Sequence, residues 1–123
     1  MLRGHPMASF YVTTPIYYVN ALPHLGTFYT TVVADALARY HRARGDRTLF
    51  LTGLDEHGLK IQRIAAERGM SEQAYTDEIG AKFQDAWRRV EISNDDFIRT
   101  TQARHKESVA EIWRRLQAIS PHR

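Results

Sequence analysis

The sequence contains no cysteine. That removes disulfides, a thiol nucleophile and any cysteine-ligated zinc site. It also removes the disulfide-stapled secreted class and leaves a cytoplasmic location as the expectation. No apolar run approaches the roughly 20 residues needed to cross a bilayer, so no membrane partner is expected. The first six residues, Met1-Leu2-Arg3-Gly4-His5-Pro6, lack the apolar stretch of a signal peptide. There is no internal repeat, no low-complexity tract and no linker dividing the chain. A run of like charge is missing too. The formal net charge is only +3 and the basic residues are dispersed. A balance of that size permits contact with an anion without arguing for one, and nothing resembles a nucleic-acid-binding arm.

What remains is a globular composition. Hydrophobic residues make up 43% and charged residues 25% of 123 positions, enough for one ordinary domain. Met7 directly precedes the first patterned stretch. Residues 1–7 therefore read as an N-terminal extension, 8–119 as the domain and 120–123 as a tail.

The pattern predicts an α/β fold of parallel strands with crossover helices. Phe10 to Thr14 is rich in β-formers and reads as a buried first strand, ended by Pro15. Ile16 to Pro23 reads as a loop. From Leu25 to Arg44 the apolar residues Phe28, Val32, Val33, Ala36, Leu37 and Tyr40 recur at helical spacing, and Gly45-Asp46 is the stop. Thr48 to Thr52 reads as a second buried strand. A strand following a crossover helix predicts a right-handed βαβ unit. Leu59 to Arg68 is a helix stopped by Gly69. Ser71 caps another, with Ala74 at its third position, so the capping box is incomplete. Phe83, Trp87 and Val90 supply that helix's apolar face. Phe97-Ile98 reads as a short third strand. Arg104 to Ile119 reads as a last helix with Val109, Ile112, Trp113 and Leu116 on one side. Both tryptophans are expected in the core.

Two polar clusters lie at strand ends. Pro23-His24-Leu25-Gly26-Thr27 forms a strand-to-helix turn, where unpaired N–H groups and the helix dipole receive phosphate. Gly26 lets a ligand approach the backbone, and His24 can donate to a phosphate oxygen. Gly53-Leu54-Asp55-Glu56-His57-Gly58 closes the second strand. Ligands of open parallel sheets sit outside the carboxyl ends of strands, so both clusters are expected to face one pocket. Asp55 can hold the ammonium of a small substrate, and Tyr17 and Tyr18 can wall an apolar side-chain pocket. The plainer readings stay open at this point. His24 could only cap a turn, Asp55-Glu56-His57 could be a helix-starting acidic pair with a solvated histidine, and the tyrosines could be core or pocket wall. Asp55, Glu56, His24 and His57 could also bind a divalent ion, but their spacing matches no metal motif, so no metal site is expected.

Thr13-Thr14-Pro15-Ile16-Tyr17-Tyr18-Val19-Asn20, then Pro23-His24-Leu25-Gly26, then Gly53-Leu54-Asp55-Glu56-His57-Gly58-Leu59-Lys60-Ile61-Gln62 and Phe97-Ile98-Arg99-Thr100-Thr101 together resemble the amino-terminal part of methionyl-tRNA synthetases. The resemblance runs from about residue 10 to about residue 116. It implies the N-terminal half of a Rossmann-like class I synthetase catalytic domain, with the connective insertion starting near the end of the domain. It implies an enzyme that activates methionine with ATP, with Mg2+, to methionyl-adenylate and transfers it to tRNA(Met). His24-Leu25-Gly26-Thr27 occupies the place of the HIGH signature. By that resemblance His24 and Thr27 are the catalytic positions. Asn20, His24, Gly26 and Thr27 bind ATP, and Ile16, Tyr18 and Asp55 bind methionine.

The match has departures. The signature's last position is usually histidine and is Thr27 here, and Leu54 stands where threonine is common. The KMSKS signature, the family's zinc knuckle and the helical anticodon-binding domain are not in this sequence. The final Ser120-Pro121-His122-Arg123 does not follow the family pattern. The expectation is therefore a half-site inactive alone, arising from a frameshift, a split gene with a complementing C-terminal chain, or a natural truncation. The alternative is a non-catalytic, repurposed nucleotide-binding module. Another adenylate-forming synthetase or nucleotidyltransferase is a third reading, disfavoured by the Asp55-Glu56-His57-Gly58 context.

Overall fold

The computed structural model describes residues 8–119. The expected extension, 1–7, and tail, 120–123, lie outside the described residues. In chain order the elements are β1 (Ser9–Thr13), β2 (Tyr17–Tyr18), α1 (Leu25–Ala43), β3 (Arg47–Asp55), α2 (Leu59–Glu67), α3 (Glu72–Arg89), β4 (Asp96–Arg99) and α4 (Ala103–Ile119). No helix among them is long and apolar enough to cross a membrane.

All strand pairs are parallel, as expected of βαβ connections. β3 is the central strand. β1 and β4 both pair with Leu51, and β2 and β4 both pair with Leu54, so β1 and β2 share one edge of β3 and β4 takes the other. Register runs Thr13 to Leu51 and then Tyr17 to Leu54, four residues against three. The extra residue lies around Pro15, which cannot donate to a ladder. The stretch read as a loop thus contains β2. A two-residue strand has no periodicity to reveal it.

Helices cover one face only. Phe50, Thr52 and Leu54 alternate onto the same side of β3 and are fully buried. Phe50 packs with Ala34 and Ala38 of α1, and Leu54 with Ile61, Tyr75, Ile79 and Phe83 of α2 and α3. Burying a side chain such as Phe50 contributes about 1.5–3 kcal/mol. On the other side Tyr11 is 57% and Leu49 50% exposed. The first strand, expected to be buried, alternates between half-buried and exposed. Parallel sheets ordinarily have both faces covered, which makes the open face a feature of this chain.

Three packing expectations are corrected. The buried stripe of α1 is Thr27, Thr31, Ala34, Asp35 and Ala38. Val32, Val33, Leu37 and Tyr40 are exposed. Small and hydroxylic side chains let the helix lie close to the sheet, and the larger apolar face points away. In α3 the stripe is Tyr75, Ile79, Phe83 and Trp87, whereas Val90 is an exposed C-cap. α4 forms as expected but buries none of its residues, and Trp113 is 63% exposed rather than core.

The loop between α3 and β4 is tied to α1. Asp35 accepts from Ser93 N–H (2.7 Å) and Arg39 Nε (2.6 Å), and Asp95 accepts from Phe50 N–H (2.6 Å) and Arg42 (2.7 Å). Burial alone would raise the Asp35 pKa. The hydrogen bonds from Ser93 and Arg39 outweigh it and hold the carboxyl below its ordinary value.

Candidate functional site

The turn into α1 is built by its own residues. His24 is the N-cap, with extended backbone. Its Nδ1 accepts from Gly26 N–H at 3.1 Å. Thr27 completes a capping box: its hydroxyl accepts from His24 N–H (3.0 Å) and donates to His24 C=O (2.7 Å). A ring nitrogen that accepts carries no proton, so the neutral imidazole holds its proton on Nε2. That N–H is then the donor His24 can offer an anion. Gly26 has a local reason as well. A Cβ there would lie 3.0 Å from His24 Cε1 and crowd the ring off its cap.

Below the turn, Tyr17 closes the floor. Its hydroxyl lies 2.8 Å from Thr31 Oγ1 and donates to Thr27 C=O at 3.3 Å. Its ring stacks on Phe83 and meets Trp87 edge-on. Tyr17 thereby holds the first turn of α1 against β2. A cavity of about 440 Å³ opens here, lined by Ile16, Tyr17, Tyr18, Asn20, His24, Gly26, Thr27 and Phe83 among others.

The second cluster lies at the end of β3. Asp55 is the register partner of Tyr18, one step along from Tyr17 and Leu54. Alternation turns Tyr17 and Leu54 toward the helices, so Tyr18 and Asp55 share the opposite face. The Asp55 carboxylate accepts a long hydrogen bond from His57 N–H, 3.5 Å. A second cavity, about 260 Å³, is lined by Tyr18, Asn20, His57, Gly58 and Lys60 with their neighbours.

The two clusters therefore give adjoining cavities that share Tyr18 and Asn20, rather than one pocket. Ile16, Tyr18, Asn20, His24, Gly26 and Thr27 are brought together around the first. Asp55 lines neither and stands beside Tyr18 in the sheet.

Glu56 is not a solvated acid. Its carboxylate is fully buried, pairs with Arg99 Nε at 2.6 Å and accepts from the Thr101 hydroxyl. Arg99 reaches on to Asp77 of α3 at 2.6 Å. Burial disfavours the Arg99 charge, but the hydrogen bonds to Glu56 and Asp77 outweigh it and leave its pKa raised. The hydrogen bond from Arg99 likewise lowers Asp77. Glu56 is thus committed within the fold and is no candidate metal ligand. Among the described residues no group of three or more His, Asp or Glu side chains is arranged to hold a metal. Tyr17 lines the first cavity, as expected, but sequence reasoning missed its hydrogen bonds to α1 and the pairing of Glu56 with Arg99. The available signal was the Arg99-Thr100-Thr101 triplet directly after a short strand.

Comparison with known proteins fits this geometry. The family of class I tRNA synthetases, methionyl type, matches residues 10–120. The methionine–tRNA ligase of Listeria monocytogenes is 58% identical over 108 residues, covering 88% of this chain and 16% of that protein. The methionine–tRNA ligase of Rickettsia conorii is 48% identical over 108 residues, covering 88% of this chain and 21% of that protein. A solved structure of Mycobacterium tuberculosis methionyl-tRNA synthetase in complex with methionyl-adenylate superposes with a TM-score of 0.88 at 45% identity, covering 91% of this chain and 22% of that one. The chain belongs to the methionyl class I tRNA synthetase family, and it spans about a sixth to a fifth of the length of these relatives.

Proposed function

We propose that this chain supplies the nucleotide- and methionine-binding half of a methionine–tRNA ligase site. In that reaction a methionine carboxylate oxygen attacks the α-phosphorus of ATP. A C–O–P bond forms, the bond to the β-phosphate oxygen breaks and pyrophosphate leaves. The methionyl group then passes from the adenylate to a hydroxyl of tRNA(Met) in the cytoplasm, and AMP leaves.

The His24 Nε2–H donates to phosphate and stabilises the charge of the transition state without proton transfer. The Thr27 hydroxyl adds a hydrogen-bonding group at the same turn. Asn20 lies on the nucleotide side, and the adenine packs against the backbone at Gly26. Asp55 holds the methionine ammonium. Ile16 and Tyr18 contact its side chain. Catalysis here is positioning and charge stabilisation. Mg2+ accompanies the ATP phosphates as part of the substrate.

One observation carries this reading: Tyr18 and Asp55 are register partners beside a turn whose histidine caps α1 through Nδ1. The bound methionyl-adenylate of the superposing relative supports it. Calorimetric titration with methionine, with ATP and with a sulfamoyl analogue of methionyl-adenylate tests it. Saturable one-to-one binding is expected, lost for methionine in Asp55→Asn and for ATP in His24→Ala. Absence of saturable binding by all three ligands would overturn it. Methionine-dependent ATP–pyrophosphate exchange separates catalysis from binding. We expect none from this chain alone, and exchange on adding a polypeptide that carries the remainder of a relative's length. Exchange by the chain alone would correct that expectation, and binding without restored exchange would favour the non-catalytic module.

A further inference from the structure

Three consecutive residues at the end of β4 converge on one residue at the end of β3. Arg99 Nε donates to Glu56 Oε1 at 2.6 Å, and the Thr101 hydroxyl donates to Oε2. Glu56 N–H donates to Thr100 Oγ1 at 2.9 Å, and Thr100 N–H donates to Leu54 C=O at 3.2 Å. The carboxylate is out of contact with solvent. Asp55 stands between Leu54 and Glu56. Its own carboxylate has a single long contact, from His57 N–H. Its position is therefore set by the backbone: its own pairing with Tyr18, Leu54 in the ladder with Tyr17 and Arg99, and Glu56 in the clamp.

A buried ion pair is a poor way to add stability, since apolar replacements often do as well. Its hydrogen bonds are directional, however, and fix one register of the chain. We infer that Glu56 is a positioning residue for Asp55, with Arg99, Thr100 and Thr101 as its receptor, and that this clamp sets the selectivity of the site for a substrate ammonium group. This rests on the reading of Asp55 given above. Glu56 itself touches no substrate.

The test compares methionine with 4-(methylthio)butanoate, which lacks only the amine, by calorimetry on the full chain. The wild-type preference for methionine reports the Asp55 contact. Glu56→Gln is expected to reduce that preference about tenfold, the size of one charge-assisted hydrogen bond, while binding of the desamino acid stays the same. Thr101→Val, which keeps the ion pair, is expected to reduce it less and covers the case in which Glu56→Gln does not fold. Amide exchange needs no ligand. Protection at Glu56 and Thr100, whose N–H groups donate within the clamp, is expected to fall at least about tenfold in Glu56→Gln, with Phe28 in α1 unaffected. An unchanged preference, or equal weakening of both ligands, overturns the positioning role. A wild-type chain without any preference overturns the ammonium role of Asp55, and with it the selectivity. Local exchange then still decides whether Glu56 holds the turn.

Discussion

The two strand-end turns of this molecule solve the same problem in opposite ways. The turn into α1 is held from within: His24 and Thr27 cap each other inside four residues. The turn into α2 has no side-chain cap at Gly58, whose φ is 136°. It is held from outside, by Arg99, Thr100 and Thr101, 43–45 residues along the chain. A self-capped turn keeps its shape through local geometry, while a clamped one depends on the arrival of β4. On the function proposed above, nucleotide recognition would fall to the local device and recognition of the amino acid to the long-range one.

Breaking the clamp is expected to have the largest effect. Arg99→Leu leaves a buried carboxylate without its cation and should cost about 3–5 kcal/mol in urea denaturation. A cost under about 1 kcal/mol would mean the second turn holds itself, and the contrast would vanish. Acid probes the same distinction. The first turn of α1 contains no carboxylate, whereas the long-range ties do. Asp77 is lowered by its hydrogen bond to Arg99 and Asp96 by its hydrogen bond to Arg104, and Asp35 is lowered despite its burial. With folded pKa values below the unfolded ones, the unfolded chain binds more protons as pH falls. The stability these groups contribute is complete above the ordinary aspartate value of about 3.9 and is lost as pH drops through the folded values. Thermal midpoints should therefore be flat above about pH 5 and fall below about pH 4.

Smaller effects sharpen the local side. His24→Ala should cost about 1 kcal/mol, and His24→Asn much less, because asparagine also caps. Both should lose ATP binding, since neither has the Nε2–H donor. If His24→Asn binds ATP normally, the histidine is only a cap. Gly26→Ala should be nearly neutral in stability, within about 0.5 kcal/mol, as a better helix former offsets a crowded cap. Its nucleotide binding should nevertheless weaken.

The same contrast explains what could be read from the sequence. His24, Gly26 and Thr27 were legible because strand, turn and helix signals lie within one short window. The parallel βαβ unit was legible from periodicity alone. β2 was not, since two residues carry no pattern and pair with a strand formed much later in the chain. Glu56 read as half of a helix-starting acidic pair, and its burial was not legible because its partners are distant. For α1 the period was right and the face wrong: the alanines and threonines that meet the sheet carry no hydrophobic signal, while Val32, Val33 and Leu37 do. Trp113 shows the converse, an apolar stripe at helical spacing that nothing among the described residues covers.

The most direct measurement is a 1H–15N correlation spectrum of the 123-residue chain titrated with a sulfamoyl analogue of methionyl-adenylate. Amides at Gly26 and Thr27 and those at Asp55 to Gly58 are expected to shift together, along one isotherm with one-to-one stoichiometry. Shifts confined to one turn, or two separable isotherms, would contradict one ligand spanning the two adjoining cavities.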